Sequence, residues 1–306
     1  MSASSTWNVS ESEFPANGSP REKLVFALKY AALAPTESGW QPWHYRMEDT
    51  HLELLAKQKP ELETVDPDGR ELLIGCGAAL QYLKLALKHF GCLGRVALFP
   101  DLGKPSLVAR VHFGFCRERD EREKMLFEAM NGSRINHSPL GSTPVTETML
   151  AALSHASAGE RGWLDFLQSE RSRRHVLKIT LPAGQASRGS QPSFAAGGRA
   201  DDSWNMTVEP TPSDSPATLA VVKTKTDDKH GWLEAGQTMA WTVLQAQALG
   251  LSWEFFDPVR RREVRVALRL GIGHKGFAQA VLRFGPLTTG ETVRSDAPAT
   301  VAAAFR

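Results

Sequence analysis

The chain has 306 residues, of which 42% are hydrophobic and 23% charged, enough to bury a full core as one large domain or two. Lysine plus arginine number 36 against 34 for aspartate plus glutamate, and a net charge of +2 leaves no electrostatic footprint for nucleic acid or an anionic membrane surface. Cys76, Cys92 and Cys116 are an odd number without CxxC spacing, which argues against a disulfide framework and a structural zinc and suits a reducing cytoplasm. The first residues hold no apolar run of signal-peptide type, and no segment approaches the ~20 apolar residues of a membrane span.

Residues 1–18 are polar and read as an arm, ordered on contact or simply loose. Ser19-Pro20-Arg21-Glu22 has the form of a capping box with proline at the first helical position, so residues 24–33 should be helical until Pro35 ends the run. The chain then turns through Thr36, Glu37, Ser38, Gly39 and Trp40 into Gln41-Pro42-Trp43, small polar residues beside a large aromatic. Residues 43–47 and 51–55 flank Glu48-Asp49-Thr50 as a β-hairpin. From 70 to 90 the apolar residues recur at three- and four-residue spacing, and Gly91 stands where a C-cap glycine belongs, which makes a long buried helix. Gly75 and Gly77 inside it imply close backbone packing. Residues 95–99 and 106–115 read as paired strands, and the charged run 117–124 as the exposed start of another helix.

A second half repeats this order in looser form. Residues 144–156 are a helix, 163–167 a strand, 219–224 a strand, 232–249 a helix ended by Gly250, 252–256 a strand, 261–270 an amphipathic helix and 279–284 a final strand. Between them, Gly, Ser, Pro, Ala and Asp dominate residues 182–216, which read as a lid-like loop. The fold class is α+β.

Several patterns point away from other chemistries. Gly271-Ile272-Gly273-His274-Lys275-Gly276 matches G-x-G-x-x-G in letters, but a helix precedes it and a strand follows, the reverse of a dinucleotide fingerprint. His89 and His112 are too scattered for a metal site, and neither His-Glu-x-x-His nor a nucleophile elbow occurs. Trp232, Trp241 and Trp253 read as core. Taken alone, Gln41-Pro42-Trp43 fits a plain helix-to-strand connection as well as it fits a ligand wall, and Arg134 and His137 fit solvated side chains.

In combination the segments carry a resemblance. Residues 34–43 resemble the A-P-S-x-x-N-x-Q-P-W signature of the flavin-dependent nitroreductase superfamily, with Thr36 for serine and Gly39 for asparagine. Trp232-Leu233-Glu234-Ala235-Gly236-Gln237, then Leu249-Gly250-Leu251 and Phe255-Phe256-Asp257-Pro258, are similar to the long central helix and following strand of the Acg family of FMN-binding proteins. In that family one chain contains two nitroreductase-like halves. Gly132 to Leu140 stands where the family has R-R-x-T-N-R-x-P-F; Arg134 and Asn136 keep that chemistry, while His137 and Ser138 replace expected arginines.

The resemblance implies an internally duplicated pseudo-dimer, with residues 1–18 an arm, 19–118 the first half and 119–306 the second. It implies FMN held between the halves, with Pro35, Thr36, Gly39, Gln41 and Trp43 on one wall and Arg134, Asn136, His137, Ser138, Asp257, Pro258 and Arg294 on the other. Asp257 would offer a backbone donor near flavin N5, and Pro258 has no N–H to offer. Each half lacks what the other has, so one site forms and the chain is expected to be a monomer. The implied activity is hydride transfer from NAD(P)H through the flavin to a small acceptor such as a nitroaromatic or quinone. A flavin-sequestering protein with little turnover, and a degenerate member without cofactor, stay open as alternatives. No catalytic side chain and no metal ligand is assigned.

Overall fold

The protein is seen here in a computed structural model that describes residues 9–35, 41–58, 66–115, 121–131, 145–157, 162–170, 172–173, 218–256 and 275–286. Helix α1 (Pro20–Ala31) starts at the expected capping box: Glu22 N–H donates to Ser19 Oγ at 3.3 Å, and Ser19 N–H donates to Glu22 Oε2 at 2.7 Å. The end of the arm is ordered by contact. A 3₁₀ turn over Glu11–Glu13 brings Glu11 to His89 at 2.8 Å and Glu13 to Lys29 at 2.7 Å, and the Phe14 ring stacks on Phe90 at 4.2 Å.

Strands β1 (Trp43–Met47) and β2 (His51–Ala56) form the expected hairpin, followed by helix α2 (Arg70–His89), β3 (Leu93–Leu98) and β4 (Leu107–Phe113). The sheet is antiparallel in the order β1-β2-β4-β3. Next come α3 (Glu121–Met130), α4 (Glu147–Ser157), β5 (Gly162–Phe166), β6 (Thr218–Thr224), α5 (Lys229–Ala248), β7 (Leu251–Phe256) and β8 (Phe277–Pro286). The second sheet, also antiparallel, has the order β5-β6-β8-β7, the first sheet's order strand for strand. In both halves a 20-residue helix joins the second strand to the third. Each of these helices ends at a left-handed glycine, Gly91 at φ 67° and Gly250 at φ 72°.

Helix α5 begins three residues before the apolar periodicity does. Asp228 caps it, accepting from the His230 and Gly231 N–H groups at 3.0 and 2.9 Å, so its polar first turn is helical without an apolar signal. Strand β8 likewise outruns the expected 279–284 at both ends because it pairs on two sides, with β6 and with β7. Of the three tryptophans read as core, Trp253 is buried, whereas Trp232 and Trp241 are only partly so; Trp232 Nε1–H donates to Asp227 Oδ1 at 2.8 Å. The segments at 182–216 and 261–270 lie outside the described residues.

The two long helices cross through backbone contact. A Cβ built on Gly77 would lie 2.2 Å from Leu233 O, and one on Gly236 would lie 1.9 Å from Ile74 O, so neither position has space for a side chain. Leu80, Leu83, Leu87, Leu233, Ala240 and Leu244, all buried, continue a single apolar core through both halves. That core explains why the helices carry nearly continuous apolar character instead of one stripe.

Candidate functional site between the halves

The Gln-Pro-Trp turn is anchored at its described ends. Pro35 is buried at the exit of α1. Gln41 Nε2–H donates to the carbonyl of Ala32 at 2.7 Å, satisfying one of the acceptors that a helix C-terminus leaves open. Pro42 O accepts from Lys57 N–H at 2.9 Å and from the Cys76 thiol at 3.8 Å. Trp43 is buried, and Gly75 lets Pro42 approach α2 closely: a Cβ there would meet Pro42 Cγ at 2.9 Å, with Trp43 Cζ3 in ordinary contact at 3.5 Å. The turn therefore sits on α2 next to Ile74, whose carbonyl touches Gly236 of α5. It lies beside the crossing of the halves.

Residues Thr36, Gly39, Arg134, Asn136, His137, Ser138, Asp257, Pro258 and Arg294 lie outside the described residues. Of the twelve positions named from the sequence, Pro35, Gln41 and Trp43 are thus described, together on one turn. One N–H of the Gln41 amide holds the turn to the end of α1, and its second N–H and Oε1 are not engaged by that bond.

The polar groups after the turn are tuned mainly by burial. Burial holds the His44 imidazole below its ordinary pKa, with Lys57 and Arg46 adding to the effect. Burial pushes the Tyr45 hydroxyl well above its usual range, with Cys76 contributing, and burial likewise raises the Cys76 thiol. His44 Nδ1 and Tyr45 Oη are buried without a hydrogen-bond partner among the described residues. A buried thiol of raised pKa is no nucleophile, so Cys76 serves packing. On β2, burial alone would raise the Glu53 carboxyl, but bonds from Arg110 and Arg46 outweigh it and hold the group below its ordinary value.

Sequence reasoning missed the polar bridges between the halves. Arg70, at the start of α2 and 3% exposed, donates through Nε to Gln279 Oε1 at 3.2 Å and through its other nitrogens to Gln279 O and Glu71. Gln279 Nε2 in turn donates to Thr224 Oγ1 at 3.0 Å and Asp227 Oδ1 at 3.2 Å. Lys84 Nζ donates to Gln237 Oε1 of α5 at 2.9 Å. Reciprocally, the start of α5 meets the first sheet: Phe99, at φ 45°, packs edge-on against His230 at 4.7 Å and under Lys229 Nζ at 4.8 Å. One local signal was available. An arginine in the first turn of a helix opposes the macrodipole, so Arg70 needed acceptors from elsewhere.

No family model matches the chain. Among curated proteins it is similar to the "Putative NAD(P)H nitroreductase Rv3131" of Mycobacterium tuberculosis H37Rv, 28% identical over 302 residues that span 86% of this chain and 85% of that one. It is also similar to the "Putative NAD(P)H nitroreductase acg" of the same organism, 29% identical over 118 residues, 39% of this chain and 36% of that one. Among solved structures, a nitroreductase with bound FMN from Bacteroides fragilis overlaps 60% of this chain and 97% of its own, at 14% identity and a TM-score of 0.41. The NADPH:FMN oxidoreductase of Vibrio harveyi complexed with NAD+ overlaps 58% and 75%, at 13% identity and a TM-score of 0.38. Sequence similarity to proteins named as putative NAD(P)H nitroreductases thus runs through most of the chain's length, which supports a place in the nitroreductase superfamily.

Proposed function

We propose that the protein is an FMN-binding oxidoreductase with one flavin site per chain, formed between the halves, that takes hydride from NAD(P)H and passes it to a small acceptor such as a nitroaromatic or quinone. The observation that carries this reading is an unequal pair of connections. Eleven residues, 32–42, join α1 to β1, whereas four, 158–161, join α4 to β5. Halves of equal sheet order thus differ at the connection that holds Pro35, Thr36, Gly39 and Gln41 and leads into Trp43. The second half is too short there for another such turn.

The donor set fits FMN. Arg134 offers a cation and Asn136, His137 and Ser138 offer polar hydrogens for a phosphate dianion, while Pro42 and Trp43 give the opposite wall an apolar backing. When bound, the isoalloxazine ring supplies the two-electron chemistry that these side chains lack. The chain's own part is positioning. Contacts at Ala32, Lys57 and Gly75 hold the described ends of the turn, and by the resemblance the N–H of Asp257 would be the donor near N5. The names of the curated relatives support NAD(P)H as hydride source.

The sequestration reading needs residues 182–216 to act as a lid. The chain that contains it leaves β5 after Phe166 and enters β6 at Thr218, opposite Phe284. The other end of β6, Thr224, faces Phe277 at the start of β8, the end towards which β7 runs. A lid reaching a site beyond Phe256 must therefore run back along β6, about 20 Å, which its length permits.

The test is a titration of the purified full chain with FMN, followed by anaerobic NADPH or NADH and then an acceptor. The expected result is saturation at one flavin per chain, a sedimenting monomer, bleaching of the flavin bands and recovery with the acceptor. Two flavins shared across an obligate dimer would sink the single-site reading. Bound flavin that is never reduced would leave sequestration, and no binding would leave a member without cofactor.

A further inference from the structure

Sequence spacing sets His112 aside as a ligand, but the fold gives it a partner. Strands β2 and β4 run antiparallel with His51 directly opposite His112. Phe113 N–H donates to Thr50 O at 2.8 Å, which marks the 50/113 pair as hydrogen-bonded and the adjacent 51/112 pair as not. In pairs of that second kind the side chains stand closest. The two imidazole rings lie 5.1 Å apart between centroids, with planes 33° from parallel.

That separation has a chemical meaning. An imidazole nitrogen binds zinc at about 2.0–2.1 Å, which puts a ring centroid about 3.2 Å from the ion, and a tetrahedral angle then separates two centroids by about 5.2 Å. We propose that His51 and His112 form a two-histidine chelate for a divalent transition cation of the zinc, nickel or copper(II) class, completed by water. Imidazole suits those ions, whereas magnesium and calcium require oxygen donors. Both histidines are half-buried, so their stems are held while solvent reaches the rings. Arg110, two residues from His112 on the same strand face, is committed to Glu53 at 2.7 Å through Nη2 and 3.2 Å through Nε, which limits its repulsion of an ion. Arg95 is exposed and screened by water. The chelate ties β2 to β4 at the hairpin end of the first sheet, away from the Trp43 end, and does not depend on the flavin reading.

The test uses the untagged full chain, with zinc, nickel and copper(II) titrated calorimetrically and copper(II) followed by electron paramagnetic resonance. Expected are one saturable ion per chain, a nitrogen hyperfine pattern from two imidazoles, an ion-dependent rise in melting temperature and no response to magnesium. His51→Gln and His112→Gln should each weaken binding by more than the about 10–100-fold that loss of an outer-shell partner costs. The wild-type spectrum answers even if a variant misfolds. No saturable uptake by the wild type, a single-nitrogen pattern, or unchanged affinity in both variants would overturn the proposal.

Discussion

Replacing Gly236 by alanine tests whether the halves meet through backbone. In an exposed helix the change should stabilise by about 1 kcal/mol, because glycine is the poorer helix former. Here the new methyl would start 1.9 Å from Ile74 O, 2.8 Å from Ile74 C and 2.9 Å from Ala78 N, all backbone atoms that no rotamer change can move. Normal contact needs about 3.5 Å, so the helices must part by about 1.5 Å along a shared core, and such a gap forfeits a quarter to a half or more of each local dispersion contact. Overpacking of this kind costs about 3 kcal/mol at the upper end of the usual range. Set against the propensity gain, Gly236→Ala should destabilise by about 2 kcal/mol or more, and at about 2–4 °C per kcal/mol lower the melting temperature by about 4–8 °C. Thermal and urea unfolding followed by circular dichroism read this directly. Gly77→Ala should behave alike, and the double variant should cost less than the sum, since one separation serves both methyls. A neutral or stabilising Gly236→Ala would refute the backbone crossing.

Three further outcomes are expected. Arg134→Ala should weaken FMN binding by about 10- to 100-fold while leaving riboflavin binding nearly unchanged, since the lost charge-assisted contact is worth about 1.5–3 kcal/mol and FMN alone carries the phosphate; equal losses in a fluorescence titration would remove Arg134 from the site. Asp228→Ala should cost about 1 kcal/mol at neutral pH. The Gly231 N–H, foremost among its partners, lowers the Asp228 pKa in the folded state, so its stabilisation is present above the unfolded value of about 3.9 and is lost as pH falls through the folded one; a variant deficit constant down to the acid limit would exclude the carboxylate as the cap. Arg70→Met, keeping the bulk but leaving Gln279 without its donor, should cost about 1–3 kcal/mol and raise cleavage of the native chain in limited proteolysis; an unchanged digestion rate would show the bridge to be dispensable.

What the sequence disclosed was what neighbouring residues decide among themselves. The capping box at Ser19 and Glu22, the glycine exits at Gly91 and Gly250 and the hairpin over Glu48-Asp49-Thr50 are all settled within a few positions. The close packing implied by Gly75 and Gly77 was also legible, though not which partners would fill the space. Those partners turn out to be the Gln-Pro-Trp turn and α5. Arg70 and Gln279 are 209 positions apart, and nothing local to either announces the other. Gln279 sits in an apolar run that reads as a plain strand, and its polarity makes sense only with Arg70, Thr224 and Asp227 around it. His51 and His112 were hidden for the same reason: their proximity is a property of strand register. Of the candidate site, the turn that ends at Gln41-Pro42-Trp43 is a local pattern, whereas the wall expected from Arg134, Asp257 and Arg294 draws on segments far apart in the chain.

The mismatch between the α1–β1 and α4–β5 connections also bears on how such a protein can change. In an assembly of identical subunits, every substitution appears at all equivalent places, so a residue that suits one wall must be tolerated wherever symmetry repeats it. Here the matched halves are separately encoded and differ at that connection, eleven residues against four. Thr36, Gly39, His137 and Ser138, the departures from the family pattern, could each arise without a mirror-image consequence elsewhere. Joining two halves in one chain thus frees each connection to drift, while the mutual contact of Gly77 and Gly236 holds the two long helices to a common geometry.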